Sequence, residues 1–404
     1  HVAHLDHQVR RESSADADFV QRLCAELKIS CTVECCDVPA LAATAKVSLE
    51  MAGRQARREF LLRTADAIGA QLIALGHHRD DQVETFLLRL LRGSGVTGLA
   101  AMQPLQGRWW RPLLNCSREQ VREYALQNRL DWVEDESNAD SLFLRNQVRH
   151  QLLPEMCAIN PRFPERVEEL CRQLQEDEGY WQHQVEAIFP AVLISRQDGL
   201  RLDRQGMLGL PVALRGRVLR EALRRLRGDL QRIEAVHLRA MVELLQGTRS
   251  QAELSLPVVW VARRYEQLWL RKQKPATTPD YALLLPIPGE LALPCGRILR
   301  ATLIAESGVE SATAAEFDFA AIRGAVTVRN RLPGDSFVPL GMAGTKKLKR
   351  LFGDLKVELE ERSKVPVVTE DGQILWLAGV RRSACFPVTA DCRKILRLEL
   401  LERV

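Results

Sequence analysis

The sequence predicts an α/β protein in three parts: a doubly wound parallel sheet, a mainly helical middle region and a small α+β module. Three observations carry this. Apolar strands and amphipathic helices alternate through the first 95 residues, the pattern of βαβ units. Between about 165 and 246, apolar residues recur at helical spacing. After a linker ending near 282 the pattern turns to β.

The elements follow in order. Val2–Asp6 reads as a strand, and a helix starts at Ser13 or Ser14, with Asp16 in its first turn and Phe19, Val20, Leu23 and Leu27 on one face. Ile29–Glu34 is the second strand. Ser48 opens a longer helix with the stripe Leu49, Ala52, Ala56, Phe60 and Leu61. Leu72–Leu75 is a buried strand, and Val83, Phe86, Leu87 and Leu90 form the core face of the next helix. Right-handed crossovers put helices on both faces of such a sheet. Residues 117–153 read as two helical pieces broken near Asp131, and Pro154, Pro161 and Pro164 mark a boundary. Helices are expected over 165–189, 211–227 and 231–246, then strands Glu253–Val261 and Tyr265–Arg271 joined through Ala262-Arg263-Arg264. Residues 272–282, with two prolines and two threonines, are the linker. Beyond it come a strand at Ala325–Arg331 and a helix with Leu348, Leu351, Phe352 and Leu355 on one face. Asp371-Gly372 joins Val365–Thr369 to Ile374–Ala378 in the chain's strongest hairpin signal. Leu396, Leu398 and Leu400 alternate with charges in a terminal strand. The domain boundaries that follow are 1–153, 160–272 and 283–404.

At 404 residues the chain exceeds one ordinary core, and 46% hydrophobic with 27% charged residues describes a soluble globular protein. No apolar run of about 18 residues spans a membrane, and no secretory signal is present. The ten cysteines are scattered with no C-x-x-C pair, as for free thiols in a reducing cytosol. His1, His4 and His7 are spaced like metal ligands, but along a strand His4 points away from the other two, so no metal is expected there. The chain begins at His1, already inside a strand, and upstream sequence is therefore expected to be absent. Net charge is a mild +5, with arginine concentrated from Arg201 to Arg239 and lysine from Lys346 to Lys356. Such faces meet phosphate or simply water.

One segment concentrates chemistry. Gly76-His77-His78-Arg79-Asp80-Asp81-Gln82-Val83-Glu84-Thr85 runs on to Arg92-Gly93-Ser94-Gly95. It follows an apolar strand, which places it at the strand's carboxyl end, where open α/β sheets bind ligands. Its acidic residues would equally suit a helix N-terminus. A helix reaching back to His77 would put His77 and Asp81 on one face, fit for a cationic amine or a magnesium ion. Arg54, Arg57 and Arg58 lie on the earlier helix. Arg92–Gly98 reads either as a backbone wrap for phosphate or as a helix C-cap. Lys346–Arg350 is a candidate contact for a nucleic-acid backbone.

Together these segments resemble the tRNA(Ile)-lysidine synthetases, of the PP-loop ATP pyrophosphatase group. The similarity is collinear from His1 to the end. It rests on His4–His7, Glu50–Phe60, Gly76–Thr85, Arg92–Gly95 with Gly98-Leu99, Arg111–Leu114, Glu134–Asn138 with Arg145, Asn146 and Arg149, then Lys346–Lys349, Val367-Val368 and Trp376–Gly379. The resemblance implies a PP-loop, Rossmann-like N-terminal domain and two tRNA-binding domains. It implies a ligase that uses ATP, with Mg2+, to adenylate the cytidine at the first anticodon position of a CAU isoleucine tRNA. Free L-lysine then displaces AMP, leaving lysidine and moving codon reading from AUG to AUA. Arg57, His77 and Asp81 take catalytic places, with Asp81 suited to the lysine α-amino group. His4, Asp6, Arg92, Gly93, Ser94 and Gly95 fall to the nucleotide, and Arg111, Asn146, Arg149, Lys346, Lys347, Lys349 and Arg350 to tRNA. A cytoplasmic protein without membrane contact is implied, and the oligomeric state is open, a homodimer included. The family's S-G-G-x-D-S loop is absent and should lie upstream of His1, so the chain as it stands is expected not to catalyse adenylation. Two alternatives stand beside this: another PP-loop tRNA-modifying enzyme, such as a thiolase, and a non-catalytic RNA-binding remnant.

Overall fold

The structure, a computed structural model, describes residues 1–9, 13–133, 144–309, 311–342 and 344–402. It divides into two compact units, His1–His183 and Gln184–Val404.

In the first unit β1 (Val2–Asp6) leads through α1 (Ser13–Glu26) to β2 (Cys31–Cys35), parallel to β1 with His4 opposite Val33. Then comes α2 (Val38–Ala45), which the sequence reading did not separate from its neighbours. Its Asp37 cap accepts the Ala40 amide at 2.9 Å. The side chain of Ser48 caps α3 (Leu49–Ala67) as expected, accepting the Met51 amide. Next are β3 (Ile73–Ala74), α4 (Arg79–Leu91), α5 (Val96–Leu99), β4 (Leu105–Gln106) and β5 (Trp109–Trp110). β3 and β5 are parallel, and β4 turns back antiparallel on β5. The parallel pairs and intervening helices are the α/β architecture expected, with the strands in two separate ladders. Arg58 stacks over the Trp109 ring at 5.1 Å, holding α3 to β5.

After α6 (Arg118–Gln127) and α7 (Leu144–Gln147) the chain makes a π-helical turn, Val148–Leu152, and continues as α8 (Leu153–Ile159) and α9 (Phe163–Val192). Val83, Phe86 and Leu87 of α4 pack on Val148 of the π turn and on Val167 and Cys171 of α9. The start of α9 therefore belongs with α4, and the division between units falls inside α9. Leu90 and Leu27, expected on core faces, are exposed. Each ends its helix, where the core no longer covers it.

In the second unit, an antiparallel sheet runs in the order Leu193–Ser195, Leu200–Asp203, Gln267–Arg271, Val259–Arg264, Gln251–Leu256. Helices Val212–Arg227 and Ala235–Gln246 bury Val218, Leu219, Ala222, Leu223, Met241 and Leu245 completely. The expected single strand Glu253–Val261 is broken at Pro257-Val258, where Val258 takes φ +60°. Proline cannot donate to a ladder, and the chain reverses there. Ala262-Arg263-Arg264 is consequently strand, and the reversal comes at Tyr265, φ +53°. A further hairpin turns on Asp198-Gly199, a signal passed over in the sequence. Gly199 is required: a Cβ there would lie 2.3 Å from the Leu270 carbonyl oxygen.

The chain ends in a five-stranded and a four-stranded antiparallel sheet around Val328, Val368, Trp376, Leu396 and Leu398. The Asp371-Gly372 hairpin is present, with φ of 44° and 84°. The basic helix, Leu348–Asp354, buries Leu348, Leu351 and Phe352 against Val367, Ile374 and Leu377, while Leu355 is exposed beyond its end.

Within this unit the middle sheet grips the segment after the basic helix. Arg264, 1% exposed, donates Nε to Glu360 Oε2 at 2.8 Å and Nη1 to the Ala252 carbonyl at 3.1 Å. The Tyr265 hydroxyl donates to the Val357 carbonyl, and the Leu359 amide to Gln251 Oε1. Removing one partner of a buried ion pair leaves the other charge uncompensated. Glu253, 3.6 Å from Arg264 Nη2, remains as a partial partner, so Glu360→Gln should destabilise the second unit by about 1–3 kcal/mol, read as a lower urea midpoint. An unchanged midpoint would refute the role of this pair.

Candidate functional site

The site forms where β3 ends. The Ile73 and Leu75 amides donate to the Arg108 and Trp110 carbonyls, fixing the strand end, and the Arg79 amide donates to the Cys116 carbonyl. The helix starts at Arg79 with His78 as cap, so His77 lies in the loop before it and shares no helical face with Asp81. The shared face that a longer helix would have given is therefore not formed. Asp81 instead closes the first turn, its Oδ2 accepting the His78 amide at 3.0 Å. Asp80 Oδ2 accepts the Arg118 amide at 2.8 Å and lies 3.5 Å from His78 Nδ1. The His78 hydrogen bond, aided by the Arg118 amide, overcomes burial and brings the Asp80 carboxyl down to about 2.

Below this cap lies a buried quartet. Glu84, whose side chain is 1% exposed, accepts Arg145 Nε at 2.7 Å, Arg149 Nε at 2.5 Å and Arg149 Nη2 at 3.1 Å. Arg145 Nη2 also reaches Asp81 Oδ1 at 2.6 Å. Arg145 on α7 and Arg149 in the π turn are four residues apart and face α4 together. Burial works against the charge on Arg149, but Glu84, Asp81 and Asp80 outweigh it and raise its pKa.

The other side of the site is cationic. Burial lowers the pKa of Arg111, and Arg54 lowers it further. Arg111 donates Nη1 to the Gln103 carbonyl, while its buried Nε has no partner. Arg89 is lowered by burial, then by Arg54 and Arg111. Like charges collected against an unused donor suit an anion such as phosphate. His77 stands at the border of the two halves. Burial pushes its pKa below 6.5, Asp81 partly opposes this, and Arg111, Arg145 and Arg54 reinforce it. It is a neutral imidazole at neutral pH, with Nδ1 buried and unpartnered.

Other predicted residues sit elsewhere. Arg57 bonds His7 Nε2 through Nε at 3.2 Å, at the end of β1. Asp6 is buried and accepts the Gln8 amide; although burial opposes it, that bond and the Ser13 hydroxyl hold its carboxyl below the usual range. His4 lines a shallow cavity of about 280 Å3 with Asp16, Phe19, Val20, Asp131, Trp132 and Val133. Arg92 caps α4, and Gly93, φ +73°, ends it. The Gly93 and Ser94 amides donate to the Leu90 and Arg89 carbonyls, so those two donors close the helix. Gly95 caps α5.

Among the residues expected on tRNA, Asn146 is buried and Arg149 belongs to the quartet. Lys346 pairs with Asp354 at 2.7 Å, whereas Lys347, Lys349 and Arg350 are exposed. The arginine run of the middle region is largely engaged internally. Arg215 holds the Leu208 and Leu210 carbonyls, Arg224 and Arg225 share Glu221, and Arg227 pairs with Asp229. Glu134–Asn138 lies outside the described residues. Glu84, Arg145 and Arg54 had not been singled out as site residues. The signal was helical spacing: Glu84 is three residues after Asp81, Arg145 four before Arg149. Among the described residues no group of three or more His, Cys, Asp or Glu could hold a metal ion.

Three family models match the chain: a PP-loop domain over residues 1–156, a TilS substrate binding domain over 202–269 and a TilS substrate C-terminal domain over 326–400. A tRNA(Ile)-lysidine synthase of Geobacter sulfurreducens is 34% identical over 400 residues, 97% of this chain and 85% of the relative. That of Caldanaerobacter subterraneus subsp. tengcongensis is 30% identical, covering 99% and 87%. That of Solibacter usitatus is 31% identical, covering 98% and 91%. Among solved structures, a TilS C-terminal domain is 29% identical, covering 31% of this chain and 99% of that one, with a TM-score of 0.30. The U34-tRNA thiolase NcsA from Methanococcus maripaludis is 15% identical, covering 43% and 62%, with a TM-score of 0.37.

The Asp80 cap sets a pH signature. A carboxyl lowered on folding adds stability above its ordinary value of 3.8, and that contribution is lost as pH falls toward about 2. Asp80→Asn should be less stable than the parent at neutral pH, and the gap should close across that window. Thermal melts by circular dichroism at stepped pH check this; a gap of constant size would count against the cap.

Proposed function

The chain belongs to the tRNA(Ile)-lysidine synthase family, and from that premise we propose how its two charged half-sites divide the reaction. The protein is an ATP-using ligase that joins lysine to tRNA and forms lysidine. Our reading places the cytidine at the first anticodon position of a CAU isoleucine tRNA at the border marked by His77. Adenylation of that base releases pyrophosphate. The lysine ε-amine then attacks carbon 2, AMP leaves, and codon reading moves from AUG to AUA.

The observation supporting this division is that a His77 kept neutral by burial feels the Asp81 carboxylate on one hand and the Arg111 and Arg54 guanidiniums on the other, with Asp81 and Glu84 held by Arg145. Asp81, with Glu84, receives the lysine α-ammonium by charge-assisted hydrogen bonds. That leaves the ε-amine at the far end of a flexible chain, free to reach the base. Arg54 and Arg111 meet the phosphate that becomes AMP, where negative charge builds. The unpartnered Arg111 Nε fits such an oxygen. His77, uncharged, accepts a proton at a ring nitrogen as the amine attacks. Arg57 and His7 form a separate contact at the end of β1, on the side that the family resemblance assigns to the nucleotide, with His4 and Asp6.

Mg2+ would enter with ATP as part of the nucleotide substrate. In the second unit, Lys347, Lys349 and Arg350 contact the tRNA backbone, and the middle and terminal regions, 160–272 and 283–404, act as its docking surfaces. A cytoplasmic location suits a tRNA substrate and the ten free cysteines. No helix among the described residues is long and apolar enough to cross a membrane.

The direct test incubates the protein with CAU isoleucine tRNA, ATP and labelled lysine, then seeks lysidine among the digested nucleosides by mass spectrometry; its absence in every condition would refute the reading. Asp81→Asn should raise KM for lysine about 10–100-fold with little change for ATP. Because His77 is lowered, its limb of the pH–rate profile should fall below 6.5. Replacing Lys347, Lys349 and Arg350 by Ala should weaken tRNA binding and flatten the log–log salt dependence by about 2. An unaltered slope would remove them from the interface.

A further inference from the structure

Resting on the reading that Asp81 receives the lysine α-ammonium, we propose that Arg145 recognises the lysine α-carboxylate, by opening its own ion pair with Asp81 around the amino-acid head group.

The two guanidiniums of the quartet are not equivalent. Arg149 is 17% exposed and holds Glu84 through two donors, Nε and Nη2. Arg145 is 38% exposed and lies outermost, with a single donor on each carboxylate: Nε on Glu84 Oε2 and Nη2 on Asp81 Oδ1. Withdrawing Arg145 leaves Glu84 still oriented by Arg149, and Asp81 still oriented by the His78 amide at Oδ2, with Arg149 Nη2 at 3.7 Å from Oδ1, too far for a hydrogen bond. The acidic pair thus survives the removal of this one partner, and the position it vacates, Asp81 Oδ1, is open to a cation.

Charge decides what enters. A bare amine entering that position would displace a guanidinium and strand it. An amino acid brings both signs. Its ammonium replaces Arg145 on Asp81 Oδ1, and its carboxylate receives the guanidinium that was displaced. The two contacts that Arg145 makes with Glu84 and Asp81 are exchanged for an ammonium–Asp81 pair and a guanidinium–carboxylate pair, and the net charge of the site is unchanged. A planar fork with parallel N–H donors matches a carboxylate better than an ammonium would, which suits arginine to this place. The exchange also anchors the α-carbon and directs the side chain away from the quartet. The quartet thereby distinguishes free lysine from decarboxylated or amidated amines of the same length.

The test compares ligands that keep the ammonium and differ in the carboxylate. Dissociation constants for L-lysine, L-lysinamide and cadaverine would be measured by calorimetry on the whole chain with saturating tRNA. Wild type should prefer lysine to lysinamide by about tenfold or more, the scale of a lost charge-assisted partner. Arg145→Met should bring that ratio close to one, chiefly by weakening lysine, and Arg145→Lys should restore part of it. A merely structural brace would weaken lysine and lysinamide equally, and that result, or an unchanged ratio, overturns the proposal. Circular dichroism melts confirm folding, and Arg145→Lys keeps the charge should Arg145→Met fold poorly. Asp81→Asn separates the two readings. It should weaken lysine and lysinamide alike; if it weakens neither, the assignment of Asp81 to the ammonium fails, whereas loss of the ratio in Arg145→Met still carries the carboxylate assignment.

Discussion

The carboxylate of Glu84 is the point on which the N-terminal unit turns. A group this deeply buried stays charged only when its hydrogen bonds are filled. Here two arginines from a distant part of the chain fill them, more than sixty residues away in sequence. That requirement ties the first turns of α4 to α7 and the π turn. The apolar contacts of Val83, Phe86 and Leu87 with Val148, Val167 and Cys171 then follow along the same seam. Glu84 is therefore both an architectural tie and one wall of a charged pocket, and any ligand that borrows Arg145 must leave the Arg149 contact standing.

Two carboxylates paired with arginines and a further group of arginines act on a histidine that burial keeps uncharged. Burial keeps His77 neutral, and three nearby arginines reinforce it against the single opposing carboxylate. Under the division proposed above, the arrangement would serve three tasks with different demands: ammonium recognition needs fixed anions, phosphate stabilisation needs cations, and proton acceptance from an amine needs an uncharged base.

Much of this was legible in the residues. The strand Val2–Asp6, the Ser48 cap and the Asp371-Gly372 hairpin follow local rules, and local rules were obeyed. The site segment was visible as polar density after an apolar strand. What local reading missed was set by tertiary pairing. The resemblance assigns Arg149 to tRNA, and nothing in the local sequence announces the buried carboxylates that hold it and Arg145. The resemblance groups Arg57 with His77 and Asp81; in the structure Arg57 has a bond to His7, and the charge of Arg54, one turn earlier, reaches His77. Whether the helix reaches back to His77 was not legible in the sequence; it starts at Arg79, so the His77–Asp81 face does not form. In the second unit, alternation read straight through Pro257 merged two strands into one.

The π turn at Val148–Leu152 carries an implication of its own. An α-helix advances about 100° per residue, so a turn holding one extra residue shifts everything beyond it by that angle relative to what came before. The turn is thus a phase adjuster. It lets Arg145 and Arg149 look toward α4 while the following helix keeps whatever bearing its own packing demands. The bearing set there also brings Val167 and Cys171 of α9 back onto α4, so one inserted residue keeps the charged quartet and the apolar seam in phase with each other.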